Sequence, residues 1–379
     1  MQFPTDYASI SERMRHINPV SYALTRNHID GHVSYLSPYI SRGVISTKQV
    51  LAAVLDNGFE LSETKKFIQE LAWREYYQRT WQQLEDGMFT DIRVYRNGVN
   101  NRLVPAAIIH GNTGIDSIDQ AISELKETGY IHNHLRMYIA SMTCNIARSY
   151  WQLPSQWMYY FLLDGDLASN TCSWQWVAGS FSSKKYYCNQ ENINKYTSSR
   201  QQHTFLDIPY EQLTNLPIPE VLSNLKNPSL HTFLPEFKTV SFDTSKPLLI
   251  YNSYNLDPLW RKDDNVNRVL LLEPSHFRSF PVHEQVIRFI ISLADNIKNI
   301  QVFTGELNEI PGIRDFPAVI SKEHPVFQHY PGQKDNRDWL FPEITGFYNS
   351  FFSYWKQCEK YLTKNIGKAP VKQMEMAVK

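Results

Sequence analysis

Four cysteines in 379 residues, with no CxxC pair among Cys144, Cys172, Cys188 and Cys358, do not make a disulfide framework. A reducing compartment is expected, and an iron–sulfur cluster built from such scattered ligands is disfavoured. An excess of either charge is also lacking, since 38 basic residues meet 38 acidic ones. Neither half of the chain is a polycation, so nucleic-acid contact must come from a local patch and nonspecific binding should be weak and salt-sensitive. No stretch approaches the roughly 20 apolar residues that span a bilayer. The opening MQFPTDYASI carries no apolar run of signal-peptide type, so no membrane and a cytoplasmic location are expected. Internal repeats and low-complexity segments are absent as well.

Aromatic residues are plentiful: nine Trp and 22 Tyr contribute to a 13% aromatic content. Most of these belong in cores and at half-buried rims. Such a surplus of rings also suits a protein that stacks on flat heterocycles.

The length allows two domains. From Ser11 to Gln202 apolar residues recur at three and four, as in Thr47 to Leu55, Ser62 to Leu84 and Ile115 to Leu125. Glycines punctuate these runs, and no strand-rich stretch interrupts them. The spacing predicts an all-α domain over 1–207. A Pro-studded linker is expected over 208–245. Short β-type runs follow at Leu248 to Tyr251, Val269 to Leu272 and Ile300 to Phe303, with a helical stretch from Val282 to Asn296 among them. This alternation predicts a smaller α/β, Rossmann-like domain over 246–362. It should end in an amphipathic helix, Tyr348 to Tyr361, before a disordered tail over 363–379.

Four segments concentrate chemistry. Leu163 to Gly179 places Asp164 and Asp166 around a glycine, with Asn170 and Trp174 four apart on a helix and Trp176 beyond. An Asp-Gly-Asp alone is more often a solvated turn, and tryptophans two apart are more often core plus rim; their combination is less ordinary. Gly129 to Cys144 puts Asn133 and Met137 on one helical face and His132 and Arg136 on the next, which also fits a plain amphipathic helix. In QELAWREYY, Glu70, Trp73 and Tyr77 align, and Glu70 with Arg74 forms a permitted i,i+4 ion pair. Ser34 and Ser37 bracket a helix start, where hydroxyls and backbone N–H groups can hold phosphate, although simple capping is the commoner use of serine.

In order and separation these segments resemble the FAD-binding domain of the DNA photolyase/cryptochrome family, over roughly Tyr22 to Gln202. Val33-Ser34-Tyr35-Leu36-Ser37 is similar to its Thr-Ser-Arg-Leu-Ser run, and Trp73-Arg74-Glu75-Tyr76-Tyr77 to its Trp-Arg-Glu-Phe-Tyr helix. His132-Asn133-His134-Leu135-Arg136-Met137 is similar to His-Asn-Arg-Leu-Arg-Met, and Asp164 to Trp176 is a nearly intact Asp-Gly-Asp-Leu-Ala…Asn…Trp-Gln-Trp segment.

The resemblance implies FAD bound in a U, with Ser34, Leu36 and Ser37 on the diphosphate and Tyr22 and Arg74 alongside. Asp164, paired with Arg136, would anchor the ribityl or ring edge, Asp166 would accept from the ring, and Asn170 would face N5. Glu70, Trp73, Asn133, Met137 and Trp176 match a pocket for a cyclobutane pyrimidine dimer in damaged DNA, with the two indoles stacking and Glu70 and Asn133 bonding base edges. The implied activity is that of a deoxyribodipyrimidine photolyase, a lyase using light-driven electron transfer from reduced flavin. The alternative is a blue-light sensor that signals to a protein partner without repair.

The chain departs from the family pattern at Val33 and Tyr35. Trp174 and Trp151 match two members of its electron-transfer wire, but the third position falls near Gly98, with Tyr95, Trp157, Tyr159 and Tyr160 as substitutes. Ser182, Ser183, Lys184 and Lys185 form a turn that could contact DNA phosphates. Domain order departs too: the α/β unit follows the helical one, like an antenna domain moved and shortened, and no antenna chromophore is assigned.

Overall fold

A computed structural model describes residues 3–93, 98–182 and 184–365. Over these the chain forms two compact units interleaved along the sequence. One comprises Leu24–Val33 and Leu84–Leu230; the other comprises 3–23, Ser34–Gln83 and 231–365. This partition cuts across the sequence-order division at 207 and 245.

The first unit is helical. Its helix Asp116–Thr128 buries Ile118, Ala121, Ile122 and Leu125, the three-and-four spacing read from sequence. It stops at Gly129, whose φ of 73° lets its N–H return to the Leu125 carbonyl at 2.9 Å. A Cβ there would meet Leu163 Cγ at 2.6 Å, so glycine also permits the close approach of the Asp-Gly-Asp segment. Helices Asn133–Ser141, Gln152–Phe161 and Leu167–Ala178 pack together. The first continues into a π-helical turn, Met142–Ile146, where the Asn145 amide donates to the Val177 carbonyl at 3.0 Å. Trp151, Trp157 and Trp174 all lie in the core of this unit. One short pairing interrupts the helices: β1 (Val104–Pro105) runs antiparallel to β2 (Leu225–Lys226). That strand, with buried Leu213 and Leu222, holds the first part of the Pro-studded stretch onto the unit.

The second unit contains a five-stranded sheet, β3 (Leu248–Tyr251), β4 (Asn267–Leu272), β5 (Ile300–Thr304), β6 (Val319–Lys322) and β7 (Gln333–Asp335). All pairs are parallel, in the order β5-β4-β3-β6-β7. Leu248 to Tyr251 are completely buried, as a central parallel strand covered on both faces requires, which is why this run reads as continuously apolar. The helix predicted near 282–296 is Glu284–Ala294.

The same unit includes the N-terminal helices Tyr7–Arg15 and Thr47–Asp56 and the long helix Leu61–Leu84. Specific polar bonds join them to the α/β part. The Asn296 amide donates to Thr5 O at 2.6 Å and accepts from Tyr7 N at 2.8 Å. Arg42, 1% exposed, donates to Ser253 O at 3.4 Å. Glu75 accepts from Leu340 N at 2.8 Å. The final helix is Phe351–Asn365, shorter at its start than expected and running past Tyr361. It buries Phe351, Tyr354, Trp355, Cys358 and Leu362. The rest of the expected tail, 366–379, lies outside the described residues. Among those residues no helix is long and apolar enough to cross a membrane, and the four cysteines are buried and unbridged.

Candidate functional site

In the first unit the Asp-Gly-Asp segment is a sharp turn leading into Leu167–Ala178. Asp166 is the N-cap of that helix; its carboxylate accepts from Ser169 N at 2.7 Å, satisfying a backbone donor the helix cannot use itself. Asp164 is buried and accepts from Arg136 Nη2 at 2.9 Å. Arg136 is fixed twice more, donating from Nε to Ile131 O at 3.0 Å and lying 5.4 Å from the Tyr130 ring centroid. The fold thus brings Asp164 and Arg136, far apart in sequence, into one ion pair, its carboxylate buried and its guanidinium half-buried. Such a pair is expensive to desolvate and persists only where its geometry is held by further bonds.

Asn170 is half-buried and donates to Ser155 O at 2.9 Å. Its neighbour Ser169 has a buried Oγ with no hydrogen-bond partner. On helix Asn133–Ser141, Asn133 is exposed and its amide lies 4.0 Å from the Met137 sulfur. His132 caps that helix by accepting from His134 N at 3.1 Å, which requires an unprotonated Nδ1. Burial, reinforced by the Arg136 cation, lowers His132 to about 4, so the cap is intact at neutral pH. Trp176 is half-buried, 5.7 Å from Tyr186, whereas Trp174 and Trp151 are 2% and 1% exposed. The hydroxyl of Ser182 donates to Trp176 O at 2.8 Å, which ties back the turn holding exposed Lys184 and half-buried Lys185. Ser183 and Tyr95 lie outside the described residues.

In the second unit, Ser37 opens the short helix Ser37–Ser41, preceded by buried Leu36. Neither serine acts as a side-chain cap there, because Leu36 occupies the N-cap position. Tyr35 has φ of 52°, a left-handed conformation unfavourable for an aromatic residue, and its carbonyl accepts from Arg13 at 3.4 Å. Tyr22 packs edge-on against Phe67 at 5.1 Å. Along Leu61–Leu84, Glu70 pairs with Lys66 at 3.0 Å, and Arg74 is half-buried. Trp73 is stacked on Phe351 from the final helix, with centroids 3.6 Å apart and an interplanar angle of 9°. Nothing in the sequence pattern pointed to this contact. It covers one face of an indole expected to receive a base.

Residues 67–211 match the family model for the FAD binding domain of DNA photolyase. This stretch is therefore similar to photolyase-type FAD-binding domains. A deoxyribodipyrimidine photo-lyase of Buchnera aphidicola is 28% identical over 280 residues, covering 67% of this chain and 54% of the relative. The enzyme of the same name from Vibrio cholerae is 32% identical over 155 residues, covering 39% of this chain and 33% of the relative. A Synechocystis cryptochrome structure is 23% identical with a TM-score of 0.48, covering 59% of this chain and 49% of its own. The chain spans about half or less of the length of these curated relatives.

The donor set suits the group this class binds. Arg136 and Asp164 offer a cation and an acceptor held at fixed geometry. Asn170 offers a neutral amide, and the buried Ser169 hydroxyl on the same helix lacks a partner.

Proposed function

We propose that the protein is a FAD-dependent photolyase acting on cyclobutane pyrimidine dimers in DNA. The observation that carries this reading is the partly buried Arg136–Asp164 pair beside the Asp166 cap, within the segment that matches the photolyase FAD-binding model. The names of the curated relatives support the same activity.

In this reading Ser34, Leu36 and Ser37, with Tyr22 and Arg74, hold the diphosphate. Arg136, Asp164 and Asp166 orient the ring edge, and Asn170 presents a dipole to it. Bound FAD supplies the light-driven electron. Preorganised dipoles set its electron affinity without rearranging during the reaction. Trp73 and Trp176 stack on the extruded dimer, Glu70 and Asn133 bond its base edges, and Met137 fills the remaining contact. Trp73 offers only the face opposite Phe351. Residues 1–207 are proposed as the flavin-binding region, 208–245 as its connection, and 246–362 as a displaced antenna-like, Rossmann-like domain. The test is loss of thymine dimers from irradiated DNA. Repair requiring both light and reduced flavin is expected; flavin-loaded protein that removes no dimers under those conditions would sink the repair activity and favour a light sensor.

A further inference from the structure

Trp151 lies in the core of the first unit, and its indole N–H donates to Asp91 Oδ1 at 2.7 Å. The same oxygen accepts from the phenol of Tyr150 at 3.2 Å. The two rings are neighbours, 5.5 Å apart at 44°. A single carboxylate oxygen thus joins a buried indole to a half-buried phenol. The loop bearing Asp91 is pinned, with Gln175 accepting from Ile92 N at 2.9 Å and donating to Met88 O at 2.8 Å. Gln175 is completely buried between Trp174 and Trp176 in sequence. The Tyr150 backbone is fixed by its N–H donating to Asn101 O at 2.8 Å.

Resting on the flavoprotein reading above, we infer that Tyr150 is the terminal electron donor to Trp151, with Asp91 taking its phenol proton. The step balances. Trp151, oxidised to its cation radical by an excited flavin, takes one electron from Tyr150. The phenol O–H bond breaks and its proton passes to Asp91 Oδ1. The products are neutral indole, neutral tyrosyl radical and a carboxylic acid, so the charges of Trp151 cation and Asp91 anion cancel.

Three features favour this outcome. The Arg102 guanidinium lies 5.0 Å from the Tyr150 ring centroid, which disfavours a cationic ring and ties oxidation to proton loss. Burial, followed by the Asp91 charge, raises the phenol above its ordinary range, so it carries its proton in the resting state. The Trp151 bond to Asp91 places the acceptor within reach before any light is absorbed.

The test uses full-length protein loaded with oxidised FAD and flashed with blue light, without added reductant. The trapped radical is read by electron paramagnetic resonance, and a second sample carries ring-deuterated tyrosine. A tyrosyl spectrum that narrows on deuteration is expected. Tyr150→Phe should remove it and leave a tryptophan radical that recombines at least about tenfold faster. Asp91→Asn, which still accepts from Trp151 but takes no proton, should suppress the tyrosyl signal too. A tryptophan-only radical in the parent protein, or an unchanged tyrosyl signal in Tyr150→Phe, would overturn the inference. Ultraviolet ionisation of tryptophan in flavin-free protein provides an independent arm. There the tyrosyl yield should fall in Tyr150→Phe, and equal yields refute the assignment. Failure to take up flavin would defeat the flavoprotein reading alone and leave that arm to decide Tyr150.

Discussion

Replacing Arg136 by Met removes an ion-pair partner of Asp164, whose side chain is only 4% exposed. The methionine keeps much of the stem volume, so the loss is chiefly electrostatic. Breaking a buried pair from one side costs about 3–5 kcal/mol, because the remaining charge is stranded away from water. The bond to Ile131 O at 3.0 Å is lost as well, adding about 1 kcal/mol. Asp164→Asn retains shape and should cost less, since Arg136 is 20% exposed and can recruit water. Arg136→Met and Asp164→Asn together should cost less than the sum of the singles, with a coupling of about 2 kcal/mol or more. Urea unfolding of all four proteins, followed by tryptophan fluorescence, measures this directly. Additive effects, or a cost under about 1 kcal/mol for Arg136→Met, would show that the pair is effectively solvated and would remove the physical basis for a rigid anchor.

Other expectations concern stacking and protonation. Trp176→Ala should retain bound flavin and weaken binding to dimer-containing DNA by about 1–3 kcal/mol; a filter-binding titration with unchanged affinity would take Trp176 out of the pocket. Phe351→Ala should lower stability by about 3–5 kcal/mol by leaving a cavity beside Trp73, and a loss under about 1 kcal/mol would show that the stack contributes little. His132 and His134 are both lowered to about 4, chiefly by burial. The unfolded chain then binds protons that the folded chain refuses, so stability should be complete above about pH 6.5 and fall as pH drops towards about 4. Unfolding midpoints flat across that window would contradict the buried, neutral cap.

The local elements were legible where one periodicity dominated. Leu248 to Tyr251 reads as a buried strand because every residue is apolar, and Asp116–Thr128 reads as a helix because its apolar residues keep three-and-four spacing up to a glycine. The Arg136–Asp164 pairing followed from matching two separate motifs to a family, not from spacing. What the sequence withheld is tertiary. The helices of 3–83 share a compact unit with the sheet through bonds such as Asn296 to Thr5 and Arg42 to Ser253, and single polar residues leave no periodic trace. The Phe351 stack on Trp73 joins residues from opposite ends of the chain. Asp91 looked like any loop carboxylate, and only the fold shows Tyr150 and Trp151 meeting on one of its oxygens.

The most direct measurement is the visible absorption spectrum of the purified full-length protein, before and after incubation with FAD and removal of unbound cofactor. Flavin bands that persist at about one equivalent, and weaken in Arg136→Met, are predicted. A folded protein that stays colourless after incubation would contradict the account at its base.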